Sequence, residues 1–477
     1  MSHRKVDVAI IGAGTAGLNA RRECQKAGLD WVLIESGPYG TTCARVGCMP
    51  SKLLIAAAEN AHEIQRSDLF GNRVEGFEVD GPAVMERVQR ERDRFVGFVV
   101  ESTLEIPEER RIRGHARFVD DSTLQIDGQD TIEADRFVVA TGSHPWIPPQ
   151  LEAIKDHVMV NDDIFELQDL PDSMAVVGTG IIGLELGQAM QRLGVDVDFF
   201  NPFDELGPFS DPEVIAKAHD SFGKRLNLHL ESEITDTRKD DQGLFLAWNE
   251  ADDSAHQRHF DIVLAAAGRR PNTAQLGLEN TSVPRDDRDL PITDPRTTQA
   301  GDTSIFFAGD VSGHRPLLHE ASDEGRIAGK NASIYPNIEA RIRRTQLAIA
   351  FTDPQMAVVG RSYDQLNLDC TEIASVSFDN QGRSRVMGIN EGLVRLYADR
   401  RNCQLIGAEM FGPRVEHTAH LLAWAIDSDQ KIPDLLSRPF YHPVIEEGIR
   451  TGLRNLAKGL RITGQCSAEA FGESPGS

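Results

Sequence analysis

Val6–Glu35 reads VDVAIIGAGTAGLNARRECQKAGLDWVLIE. Val6–Ile11 is a continuous apolar run, the pattern of a strand buried on both faces. It ends in Gly12-Ala-Gly14-Thr-Ala-Gly17, and a helical stretch follows to Lys26. A second strand, Trp31–Ile34, ends at Glu35. Strand, Gly-rich turn, helix, strand and acid, in that order, make a dinucleotide-binding unit. Gly12, Gly14 and Gly17 let the backbone approach a pyrophosphate at the helix N-terminus, and Glu35 can accept bonds from ribose hydroxyls. The plan recurs downstream. Ala175–Val177 is a strand, Gly178-Thr-Gly180-Ile-Ile-Gly183 the turn, Leu184–Leu193 a helix and Val195–Phe200 a second strand, ending at Asn201. First glycine and strand-end residue lie 23 positions apart in both copies, 12 to 35 and 178 to 201. An internal repeat of that kind is stronger evidence than either copy alone. It predicts two bound dinucleotides.

Between the copies lies Gly40–Lys52, GTTCARVGCMPSK. Its cysteines, Cys43 and Cys48, are five positions apart, about 7.5 Å along a regular helix axis. A disulfide needs α-carbons closer than about 7 Å. The pair can bond only if the intervening backbone is loosened. Gly47 tolerates irregular dihedrals, and Pro50 removes a donor near the start of the following helix, Leu53–Ala58. Cysteines near a helix N-terminus also ionise more readily. On spacing alone, a redox pair, two structural cysteines and half of a zinc site all stay open, although no second zinc-type pair follows.

The whole segment resembles the active-site signature of the FAD-dependent pyridine nucleotide–disulfide oxidoreductases, G-G-T-C-x-N-V-G-C-x-P-S-K. Here Thr41 replaces the second Gly and Arg45 the Asn. Further stretches are similar to motifs of that family: Phe137-Val-Val-Ala-Thr141-Gly142, Gly268-Arg-Arg-Pro-Asn, Ile305-Phe-Phe-Ala-Gly-Asp310, Phe351–Gly360 (with Gln355 where Glu is common), and Pro439-Phe-Tyr-His442-Pro-Val-Ile-Glu-Glu447. The resemblance covers about residues 6 to 460. It implies an α/β fold: two Rossmann-like dinucleotide-binding domains, plus a C-terminal α+β dimerisation domain. It places FAD on Gly12, Gly14, Gly17 and Glu35, with backbone near Ala116 at the adenine, Thr141 and Gly142 in the second motif, and Asp310 on the ribityl chain. Leu318 opens a helix whose N-terminus would face the flavin ring and favour its anionic reduced form. Nearby His319 is expected to be structural. Lys52 would sit at the flavin N5 edge and pair with Glu185. The nicotinamide dinucleotide would lie on Gly178, Gly180, Gly183 and Asn201, in a domain closed by the Gly268 motif.

By the same resemblance, His442 takes a proton from a substrate thiol while Glu447 orients the imidazole. The substrate thiolate attacks Cys43, and Cys48, beside the flavin, passes electrons inward. The dyad is completed across a homodimer interface. Ile181 stands where glutathione reductases carry a gating tyrosine, and no basic residue occurs between Val195 and Ala216 to hold a 2′-phosphate. The expected reaction is therefore dihydrolipoamide oxidation with FAD and NAD, and a 2-oxoacid dehydrogenase complex is a candidate assembly. Asn201, Arg45 and Gln355 keep another disulfide open, such as a glutathione-like one; a metal ion and a non-catalytic subunit are further alternatives, the latter opposed by intact Cys43, Cys48, His442 and Glu447. Metal-ion reduction loses ground because Cys466 is a lone cysteine in the tail, not a second redox pair.

The 477 residues suit several domains: 1–150 for FAD, 151–275 for NAD, 276–345 completing the FAD site, 346–465 for the interface, and a disordered tail at 466–477. A net charge of −24 argues against nucleic acid and anionic membrane as partners. No run is long and apolar enough to span a bilayer, and MSHRK leads directly into the first strand without a signal or transit segment. A cytoplasmic protein is expected, with Cys24, Cys370 and Cys403 structural and no resident metal.

Overall fold

The computed structural model describes residues 3–460. The expected tail and Cys466 lie outside the described residues.

The first unit is built on a seven-stranded sheet. Strand His3–Ile11 lies between Trp31–Glu35 and Asp130–Val139, parallel to both, and Arg111–Arg113 extends the sheet beyond Trp31–Glu35. The central strands are apolar where both faces are covered, at Val8–Ile11, Trp31–Ile34 and Phe137–Val139. The ten-residue strand Asp130–Val139 has two partners on its other edge. Its first residues pair antiparallel with Thr123–Ile126, and its last three pair parallel with Ile305–Phe307. The chain thus returns to its first sheet after nearly 170 residues elsewhere. Strand Ile305–Phe307 is thereby part of the first unit's sheet.

Helix Leu318–Ile334 follows that return strand and packs on helix Thr15–Lys26 at close range. A β-carbon on Gly325 would stand 2.2 Å from the Ala16 carbonyl oxygen, and one on Gly329 2.5 Å from that of Ala20. One local expectation is refined. In the sequence, Arg113–Val119 and Thr123–Ile126 flank the turn signal Asp120-Asp-Ser, which predicts a hairpin between them, but the first arm divides at Gly114, whose φ is +146°. Arg111–Arg113 joins the parallel sheet, and Ala116–Asp120 forms the hairpin with Thr123–Ile126.

The second unit repeats the first on a smaller scale. Its parallel sheet runs Asn227–Leu230, Asp196–Asn201, Ser173–Val177, Ile262–Ala265, backed by the three-stranded meander 233–260. Helix Ile181–Arg192 seats as closely as its counterpart: a β-carbon on Gly183 would lie 2.0 Å from the Gly178 oxygen, against 1.9 Å for Gly17 and Gly12. Strands Ser143–Pro145 and Arg269–Pro271 pair antiparallel where the chain passes between the two units.

The third unit is a five-stranded antiparallel sheet, in the order 347–350, 355–360, 405–412, 393–399, 371–377. Helices Val415–Asp427 and Glu447–Leu460 complete its core. Two fully buried carboxylates join it to the second unit. Asp211 accepts from Arg395 Nε (2.9 Å) and the Tyr397 hydroxyl (2.8 Å), and Glu409 accepts from the amides of Ser210, Asp211 and Tyr363. Among the described residues no helix is long and apolar enough to cross a membrane.

Candidate active site

The signature segment forms two helices, not one. Thr42–Val46 stops at Gly47, whose dihedrals are −126° and −119°, and a new helix runs Cys48–Gln65. The helix expected over Leu53–Ala58 therefore starts earlier, at the second cysteine. The break falls between the two cysteines, where the spacing required it. Cys48 occupies the first turn of the longer helix, where unpaired amides carry partial positive charge.

Both cysteines are free thiols in this structure. Interaction with the Cys43 thiol holds the Cys48 thiol down at about 7, assisted by the Lys52 ammonium and opposed by burial. The same interaction, together with burial, holds Cys43 well above the ordinary thiol range. Burial chiefly sends Cys24, packed inside the first unit, up to about 12. Cys24 is inert by comparison.

A cleft of about 710 Å³ runs along the first unit to this pair. It is lined by Gly12–Ala16, Glu35, Cys43, Cys48, Gly114–Ala116, Thr141–Gly142, Asp310 and Leu318. Glu35 accepts from the amides of Ala13 and Gly37, each at 2.7 Å, which fixes the carboxylate at the strand end and leaves lone pairs for a sugar. A β-carbon on Gly14 or Gly142 would meet nothing within 4 Å, so the backbone there is open to a ligand. Gly17 does not line the cleft; it acts through the close helix contact described above. The volume, the glycine-walled stretch and the lining cysteines fit an extended dinucleotide with a redox-active ring beside the sulfurs.

Lys52 lies just off the cleft lining. Its ammonium is 2.7 Å from Glu185 Oε2 and 3.3 Å from Ser51 Oγ. Glu185 is only 4% exposed and comes from the glycine-turn helix of the second unit. The predicted pairing across 133 residues is present. Asn201 ends its strand buried. Its amide donates to Thr179 Oγ1 and the Glu205 oxygen, and its carbonyl accepts from the Phe203 amide at 3.2 Å. The side chain thus ties its own turn to the glycine turn at Thr179. Gly268 is exposed at the junction of the two units, next to Arg269.

His442 Nδ1 lies 3.0 Å from Glu447 Oε1. Burial works against the charged form of Glu447, but His442, the Val444 amide and Arg450 together hold the carboxyl below its usual range. The imidazole is 81% exposed and does not line the cysteine cleft of its own chain.

Three residues of the site carried no assignment in the sequence. Asn161 donates to the Val46 carbonyl, between the two cysteines, at 2.9 Å. Its own oxygen accepts from Arg269 Nη1 at 3.1 Å, and Arg269 also holds the oxygens of Ser143 at 2.8 Å. Ser143 Oγ in turn donates to Asp310 Oδ2 at 2.6 Å. This chain of bonds ties the broken helix to the far wall of the cleft. Only Arg269 stood within a quoted motif.

Two nucleotide-type units, a cleft lined by paired cysteines and an ion pair joining the two units define a dinucleotide-dependent thiol–disulfide oxidoreductase. Residues 6–325 match the family described as pyridine nucleotide-disulphide oxidoreductase, and residues 347–452 match its dimerisation domain. The chain belongs to this family. Dihydrolipoyl dehydrogenase of Chlamydia pneumoniae is 29% identical over 455 residues, 93% of this chain and 95% of that protein. Its counterpart from Halobacterium salinarum is 30% identical over 454 residues, 92% and 94% respectively. Among solved structures, LpdA from Mycobacterium tuberculosis superposes with a TM-score of 0.80 at 22% identity, covering 96% of this chain and all of that one. The HOCl-induced flavoprotein disulfide reductase RclA from Escherichia coli gives 0.78 at 21%, covering 94% of this chain and 99% of its own. These two likenesses establish the fold. The cofactors of the family are FAD and a nicotinamide dinucleotide, and the first-unit cleft has the shape and donor set for FAD.

Proposed function

We propose that the protein oxidises a dihydrolipoamide-type dithiol with NAD, through the Cys43–Cys48 pair and FAD. The observation that carries this reading is the pair of free cysteines lining the cleft, either side of the helix break at Gly47, with the Lys52–Glu185 ion pair close by. Support for the substrate comes from the relatives named dihydrolipoyl dehydrogenase, matched over nearly the full chain. Support for NAD comes from Asp204 and Glu205 just beyond Asn201, which would repel a 2′-phosphate.

With the pair oxidised, His442 Nε2 accepts a proton from one substrate thiol. The resulting thiolate attacks Cys43 Sγ, the Cys43–Cys48 bond breaks, and Cys48 leaves as a thiolate stabilised by Lys52 and its helix N-terminus. The second substrate thiol then attacks the mixed disulfide, expelling Cys43 and closing the product disulfide. FAD, when bound, supplies the two-electron carrier between thiols and nicotinamide. Asp310, Glu35 and the Gly12–Gly17 turn bind and orient it. Gly178, Gly180, Gly183 and Asn201 seat the nicotinamide dinucleotide, and Glu447 fixes the His442 tautomer and balances the imidazolium.

Because the dyad does not line its own chain's cleft, we assign it to the cysteines of a second copy. Each centre of the homodimer is then completed by its neighbour's 347–452 domain. A 2-oxoacid dehydrogenase complex is the assembly that would deliver such a dithiol. The deciding experiment assays the purified flavoprotein with dihydrolipoamide, oxidised glutathione and mercuric ion in parallel, each with both nicotinamides. Turnover of dihydrolipoamide with NAD is expected to dominate. A preference for either other acceptor, or for NADPH, would refute the substrate reading while leaving the disulfide chemistry intact.

A further inference from the structure

The ion pair beside the cysteines is gripped from the third unit. Phe351 follows the first strand of the interface sheet, and it touches both members of the pair. Its backbone amide donates to Glu185 Oε1 at 2.8 Å, while the other carboxylate oxygen takes Lys52. Its ring lies under the Lys52 ammonium, with Nζ 4.8 Å from the ring centroid. The grip continues along one face of the helix carrying Glu185. Gln188, one turn on, exchanges two bonds with the Asp353 backbone, at 2.7 and 3.0 Å. Arg192, one turn further, pairs with the Asp353 carboxylate. Positions 185, 188 and 192 share a face by helical spacing. The segment 351–353 therefore registers the interface domain against this helix at three successive points.

Such a grip does more than pack. A lysine side chain has four rotatable bonds and a strongly hydrated head, and holding it in one rotamer costs side-chain entropy. Glu185 alone constrains it from one direction. A ring on a second side fixes the head where it can act on Cys48. An ammonium over an aromatic face is attracted by the ring quadrupole, and a saturated side chain of similar size gives none of that attraction.

We propose that Phe351 is a positioning residue. Its ring orients the Lys52 ammonium toward Cys48 and the flavin edge, while its amide holds Glu185 for the same purpose, so that the interface domain sets the electrostatics of the electron-transfer site. The proposal rests on the disulfide–flavin chemistry of the family and not on the choice of dithiol or nicotinamide.

The test compares Phe351→Leu, which keeps apolar volume and the backbone amide, with Phe351→Tyr, which keeps the ring. Both are made in the full-length, FAD-loaded protein. The first readout is the pH titration of the Cys48 thiolate in two-electron-reduced protein, followed through its long-wavelength absorption with flavin. Cys43, Lys52 and Glu185 are the charged or titratable groups that act on Cys48 in that titration. Phe351→Leu should move the midpoint upward by ~0.5 unit, and slow flavin reduction by the preferred nicotinamide about two- to fivefold. Phe351→Tyr should restore both. A merely structural role would lower the thermal midpoint of Phe351→Leu and leave the titration where it was. That result, or equal behaviour of Leu and Tyr, would overturn the proposal. Because reduction by nicotinamide involves no disulfide substrate, failure of the dihydrolipoamide assignment gives a different pattern: wrong substrate preference, with both Phe351 effects intact.

Discussion

Cys48 has the more acidic thiol of the pair because three things act on it together: the neighbouring Cys43 thiol, the Lys52 charge and a helix start. In reduced protein the thiolate should appear as pH rises through about 7, far below an ordinary cysteine. Alkylation rate against pH measures this directly, and a midpoint near the ordinary thiol value would contradict it. Replacing Cys48 by Ser should abolish disulfide turnover while FAD stays bound, because the first-unit cleft is otherwise untouched. Glu447→Gln keeps the shape of the dyad but removes its charge. It should lower kcat/KM for dithiol oxidation by about 100-fold. Flavin reduction by nicotinamide, which needs no thiol base, should be unaffected; stopped-flow separation of the two half-reactions checks both.

The elements meet at closer quarters than their lengths suggest, because glycines face backbone at the crossings. Gly325→Ala should therefore destabilise the protein by about 1–3 kcal/mol, read as a lower thermal midpoint and weaker FAD retention. The β-carbon would stand 2.2 Å from a carbonyl oxygen that has no room to retreat. At this scale much was legible in the sequence. The Gly12 and Gly178 turns, the loosening at Gly47 and the apolar central strands all have local signals, since glycine spacing and hydrophobic runs report backbone needs within a few residues. Lys52 with Glu185 was legible only through resemblance, as neither residue carries a local mark. Asn161, Ser143 and the ring of Phe351 were not legible. Each acts through contacts more than 100 residues away, and a lone Asn, Ser or Phe is compatible with many environments. The division at Gly114 was missed for a related reason: both halves are strand-like, and only tertiary pairing distinguishes a parallel edge from a hairpin arm.

For the whole molecule, two expectations concern partners. NADH should be used with much greater efficiency than NADPH, since the stretch from Val195 to Ala216 carries no basic residue to offset Asp204 and Glu205; steady-state comparison decides it. If each centre borrows the dyad of a neighbour, then a dimer formed from a Cys48→Ser chain and a His442→Ala chain should recover activity that neither homodimer has. Mixing two separately tagged variants and isolating the hybrid tests this. No recovery would return the dyad to its own chain.

Strand Asp130–Val139 divides its outer edge between a nearby hairpin and a strand that arrives only at Ile305. A ribosome that has released just the first 150 residues has produced a sheet with an open seam. Asp310, in the cleft lining, is still unmade, and so is the helix that seals the glycine turn from behind. Growing chains must therefore wait for more than half of the message before the first-encoded domain can close. A truncated chain ending at residue 150 should retain little affinity for FAD and should self-associate through the bare strand edge.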